Sequence, residues 1–165
     1  MTDDIYSTYF FRYEGKQDLL LGRVLQKFDN TFMTGSNSYF LHWIMPDQSY
    51  LEHEEIKIGH PPHIHKNAEI LFHIGTNPID PRDLGAEIEF FMGEEMERHV
   101  ITQTTVIFIP PMVVHCPWRP LKLRRPFIFL QVNQELEKTE KFFPELLPED
   151  LRKRTDWNLL KDVGF

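Results

Sequence analysis

The chain of 165 residues, 41% hydrophobic and 13% aromatic, is long enough for one compact domain with its own core, and a single domain over residues 1–165 is expected. Lysine and arginine number 18 against 25 aspartates and glutamates, and the formal net charge of −7 argues against a nucleic-acid groove or an anionic membrane surface as partner. One cysteine, Cys116, excludes an internal disulfide and a zinc–thiolate site, whereas eight histidines, five of them between His53 and His73, leave imidazole chemistry open.

The start of the chain is acidic and lacks the basic-then-apolar order of a signal peptide. The most apolar stretch, residues 106–114, contains Pro110 and Pro111 and falls far short of the ~20 residues of a membrane helix. A cytoplasmic protein is expected, with a small-molecule substrate and neither nucleic acid nor membrane as partner.

Short β-branched and aromatic runs, separated by Gly, Pro, Asn and Asp, predict strands at 5–13, 19–28, 39–45, 56–58, 63–65, 69–74, 86–92, 99–102, 106–109 and 127–132. The fold class is therefore mainly all-β. N-terminal strands occupy 5–28 and a sandwich or barrel occupies about 39–132. Residues 135–143 and 148–156 are charged, contain leucine and lack glycine, which predicts short helices covering a barrel edge or packing on a partner subunit. Pro148, Glu149 and Asp150 suit a first helical turn. The aromatic segment from Tyr6 to Phe11 would leave an exposed strand edge, from which a homodimer is expected.

The segment from Gly59 to Gly75 concentrates the chemistry. Side chains alternate along a strand, so His63 and His65 share one face while Ile64 packs behind. After Lys66 and Asn67, a pair suited to a turn, Glu69 opens the next apolar run and reaches the same point if that run folds back. His115 follows a strand that ends at Pro110 and Pro111. Two imidazoles and a carboxylate, joined by a third imidazole, suit a divalent metal: iron, manganese, nickel, copper or zinc.

These residues resemble the two motifs of the cupin family. His63, His65, Glu69 and Gly75 match the first, and Pro110 and His115 match the second, with Met112 where glycine is usual. A methionine there is strained if its φ is positive. The resemblance implies a double-stranded β-helix, a jelly-roll cupin barrel, with His63, His65, Glu69 and His115 holding a metal inside it.

Around this set, His73 shares the parity of Glu69, which makes it a hydrogen-bonded core histidine, an orienter of a ligand or a catalytic proton shuttle. His42 is a candidate for the substrate pocket or the core, and Phe129 and Gln131 in the last barrel strand are further pocket candidates. Trp118 and Arg119 stand at the mouth or on the surface. His53, His60 and His99 lie among loop or charged residues and read as surface, and Cys116 reads as a packed thiol. Three imidazoles and one carboxylate leave open metal positions, which points first to a dioxygenase using Fe(II) on a small enolizable or aromatic molecule. The alternatives are a non-redox isomerase or lyase, and a small-ligand-binding barrel without catalysis.

Overall fold

A computed structural model describes residues 6–13, 15, 18–19 and 22–165. Its strands in chain order are β1 (Asp18–Leu19), β2 (Gly22–Phe28), β3 (Ser38–Ile44), β4 (His63–Ile64), β5 (Glu69–Gly75), β6 (Asp83–Met92), β7 (Glu97–Gln103), β8 (Thr105–Ile109), β9 (His115–Leu123), β10 (Phe127–Asn133) and β11 (Lys141–Phe142). The α-helices are α1 (Glu54–Ile58) and α2 (Glu149–Arg154). The strands pair antiparallel in two sheets, ordered β1-β2-β3-β10-β5-β8 and β11-β4-β9-β6-β7. The protein is mostly β, a jelly-roll sandwich. Among the described residues no helix is long and apolar enough to cross a membrane.

The period of two builds the core. Leu84, Ala86, Ile88 and Phe90 alternate along β6 and are 0–1% exposed, and they meet Ile44, Leu71, Phe127 and Phe129 of the other sheet. Each such large side chain contributes roughly 1.5–3 kcal/mol on burial. The alternation does not discriminate by polarity. The phase that buries Leu71 also buries Glu69 and His73, and the phase that buries Ile44 buries His42.

Four expectations are corrected by tertiary context. Residues 6–13 are not a strand: Ser7–Tyr9 form a 3-10 turn, and the expected first residue, Ile5, lies outside the described residues. Tyr6, Tyr9 and Phe10 are nonetheless exposed. The run 19–28 contributes to two short strands, with Leu19 facing Gly22 across the β1–β2 pair; Leu20 and Leu21 lie outside the described residues.

Residues 56–58 end helix α1, where Glu54 and Glu55 sit in the first turn and Lys57 in the last, complementing the helix dipole. Gly59, at φ +71°, ends that helix; a Cβ there would lie 2.7 Å from the Trp118 carbonyl oxygen. Residues 135–143 form no helix, because Lys141 and Phe142 pair with the free edge of β4 and Pro144 disfavours a helical residue before it. Only the second expected C-terminal helix is present, as α2.

Strand β9 has no counterpart among the sequence expectations because Pro117 and Pro120 interrupt its pattern. It tolerates them because β4 engages its other edge only at His63↔His115. After β10 the chain crosses back as a strap over β4: Gln134 N–H bonds Ala68 O, Phe143 N–H bonds Pro62 O, and Glu140 forms a bridge with Val163. That strap closes one side of the candidate site.

Candidate metal centre

The two sequence motifs are brought together by register. His63 lies opposite His115 across β4 and β9, and the Met112 N–H bonds the His65 carbonyl oxygen at 2.9 Å. Met112 has φ +63°, so this turn adopts the left-handed conformation a glycine would take without strain. Glu69, the first residue of β5, faces Asn133 of β10 and Ile109 of β8.

His63, His65, Glu69 and His115 each offer a ligating atom, all within 4.8 Å of one another, and the four residues are 1–3% exposed. The orientation of each imidazole is set from behind. His63 Nδ1 donates to Pro61 O at 2.8 Å, His115 Nδ1 to Val113 O at 3.1 Å, and His65 Nδ1 to Thr139 O. Each Nε2 then carries a lone pair. His115 Nε2 lies 2.9 Å and His65 Nε2 3.8 Å from Glu69 Oε2, and both nitrogens are buried without a hydrogen bond.

The other carboxylate oxygen, Oε1, accepts from Gln131 Nε2 at 2.5 Å and Asn133 Nδ2 at 3.0 Å. Burial pushes the Glu69 carboxyl up, but His115, His65 and Gln131 outweigh it and hold the group below its ordinary value. Burial, reinforced by the imidazoles of His115, His60 and His65, pushes His63 well below its ordinary value. The centre thus converges the Nε2 atoms of His65 and His115 on one carboxylate oxygen. Imidazole nitrogens and a carboxylate oxygen that meet at one buried point are a donor set that fits a divalent transition metal.

The remaining candidates are placed as follows. His73 is fully buried; its Nε2 accepts from Trp118 Nε1 at 2.9 Å and its Nδ1 has no partner. Burial pushes it down to about 3. His42 stacks on Phe40 at 4.8 Å and meets Phe129 edge-on at 5.1 Å. Neither of its ring nitrogens has a partner, and burial pushes it down to about 4. Phe129 is packed between His42, His73 and Trp118, while Gln131 is spent on Glu69. Arg119 pairs with Glu89, which also receives Arg98. Cys116 is buried in the core, and its thiol is pushed up by burial.

Sequence reasoning missed Asn133, Thr139 and Glu140. Asn133 extends the alternation of Phe127, Phe129 and Gln131, a signal present in the sequence. Glu140 carries no such signal: its Oε1 lies 3.1 Å from His60 Nε2 and 3.8 Å from His63 Nε2, with Lys138 Nζ 2.9 Å from its other oxygen. Burial pushes Glu140 up, yet His60 and Lys138 hold it down at about 2.

Comparison with solved structures finds similar folds elsewhere. An oxalate oxidase in complex with the substrate analogue glycolate superposes with a TM-score of 0.51 at 13% identity, over 96% of this chain and 80% of its own. The chain has a cupin fold. A recombinant oxalate oxidase in complex with glycolate superposes on the cupin barrel with a TM-score of 0.50 at 13% identity, over 93% of this chain and 77% of its own. An oxalate decarboxylase from Lactobacillus farciminis is matched over 87% of this chain and 36% of its own, at 14% identity and a TM-score of 0.47. No protein-family model and no curated protein sequence matches the chain.

Proposed function

We propose that this cupin is a metal-dependent dioxygenase in which His63, His65, Glu69 and His115 hold Fe(II) and the substrate is a small enolizable or aromatic molecule. The observation that carries the reading is the buried ligand geometry: three imidazoles with Nδ1 committed to backbone carbonyls, aimed with one carboxylate oxygen at a single buried point. A divalent metal held by His63, His65, Glu69 and His115 would supply Lewis-acid and redox chemistry toward a chelating oxygen substrate and dioxygen.

The chain's own residues orient and shield that centre. Gln131 and Asn133 hold one oxygen of Glu69 and so present the other. Phe90 packs 6.4 Å from the His115 ring and keeps that side free of water. Beyond Phe90 lies a cavity of about 530 Å³, lined with Met92, Ile101 and Ile107 and rimmed by Thr105 and Gln103. Met92 faces His115 in the β6–β9 ladder, while none of the four candidate ligands lines the cavity itself.

The test is oxygen uptake by protein reconstituted anaerobically with Fe(II), challenged with a panel of 1,3-diketones and catechols. Substrate-dependent oxygen consumption is expected. Turnover of the same compounds with Zn(II) under argon would overturn the oxygenase reading in favour of an isomerase or lyase, and binding without turnover would leave a small-ligand-binding barrel.

A further inference from the structure

Among the described residues a second group of ligating atoms converges at His60, His63 and Glu140, and it shares His63 with the four-residue centre. Its side chains grade from solvent inward: His60 is 43% exposed, Glu140 8% and His63 3%. One carboxylate oxygen spans the gradient, lying 3.1 Å from Nε2 of the outer imidazole and 3.8 Å from Nε2 of the inner one. His63 is anchored, because its Nδ1 bonds Pro61 O at 2.8 Å and its backbone pairs with Phe142 on one side and His115 on the other. Its Nε2 therefore faces both groups. Glu140 is equally fixed, by the two hydrogen bonds it exchanges with Val163, at 2.9 and 2.8 Å.

We propose that His60 and Glu140 form an outer cation station through which the divalent metal is loaded into, and released from, the inner centre. His63 stays a ligand throughout, while His60 and Glu140 are exchanged for His65, Glu69 and His115. The proposal rests on the metal-binding reading above.

The physical reason is desolvation. A hydrated cation cannot reach ligands that are 1–3% exposed without shedding water, and a carboxylate and an imidazole at the threshold replace that water stepwise. The anionic Glu140 also concentrates cations at the approach. Lys138, 54% exposed and 2.9 Å from the other Glu140 oxygen, offsets part of that charge, so a cation is held there only weakly.

The experiment uses the full chain, stripped of metal by a chelator, with Co(II) as the probe. Loading is followed by stopped-flow absorbance, release by chase with excess chelator, and affinity by equilibrium competition. Glu140→Gln and His60→Ala are each expected to slow loading and release together, on the order of tenfold, with Kd within about twofold of wild type. A transit station lowers the barrier in both directions and leaves the end states alone.

Unchanged rates in a wild type that binds Co(II) would sink the station and leave the centre standing. Faster release at unchanged loading would also overturn it, by making Glu140 a ligand of the resident metal. A wild type that takes up no Co(II) would remove the centre itself. Should Glu140→Gln fail to fold, His60→Ala, on a partly exposed side chain, carries the test alone.

Discussion

The barrel interior holds two groups of histidines, and they end in opposite states. At one end of β5, beside Glu69, the imidazoles of His63, His65 and His115 are each bonded at Nδ1 to a backbone carbonyl, with Nε2 turned toward a carboxylate. Toward the other end, His73 and His42 sit among Phe127, Phe129, Phe40 and Trp118. Burial alone accounts for their depressed pKa values, and no carboxylate contributes. Burying histidines on one inner face is thus not enough for a metal centre. It also takes an anion and a backbone acceptor behind each ring, which decide where the lone pairs point.

The largest expected difference between the two ends is metal content. By elemental analysis, the His63→Ala, His65→Ala double variant should lose nearly all the transition metal that wild type carries, while His42→Phe and His73→Phe should keep it. Equal occupancy in all of them would erase the distinction. Next, Gln131→Leu removes one of the two donors that hold Glu69 Oε1, leaving Asn133, and metal affinity measured by chelator competition should fall about tenfold.

The aromatic end predicts acid sensitivity. Unfolded histidine titrates near 6.5, whereas folded His42 and His73 stay neutral down to about 4 and about 3. The unfolded state therefore binds more protons in that window, and stability is lost as pH falls from 6.5 toward 4, by roughly 3 kcal/mol for His42 over the full range. Urea midpoints at several pH values should show a shallower acid loss in His42→Phe. An unchanged slope would place the sensitivity elsewhere.

The smallest effect concerns the turn that delivers His115. Met112→Gly relieves a positive φ at a side chain 56% exposed and should raise stability by about 1 kcal/mol in thermal unfolding. A loss instead would show that the methionine side chain holds the turn.

Much of the fold and of the candidate site was legible residue by residue. The period of two placed His63 beside His65 and set Glu69, Leu71 and His73 on one face, and the second motif pointed to His115. The limits lay where a segment's structure is imposed by its neighbour. Ile56 and Ile58 read as strand residues but end a helix, since Gly59 and the chain's passage to His60 decide their backbone. Strand β9 was hidden by Pro117 and Pro120, which are compatible with a ladder only because one edge of β9 is nearly unpaired. The segment before Pro144 read as helix because its charged pattern says nothing of the open edge on β4 that Lys141 and Phe142 complete.

What the sequence offered by itself is an inventory of candidate ligands: His63, His65 and Glu69 at spacings that alternation turns toward a common face, and His115 from the second motif. That information is local, carried by a geometry that repeats every two residues. What only the tertiary structure decided is the state of those groups. Glu69 is held by Gln131 from 62 residues away, the ring of His65 is turned by Thr139 from 74, and His60 gains Glu140 from 80. Such partners are chosen by sheet register and by the strap across β4, and no periodicity along the chain encodes them.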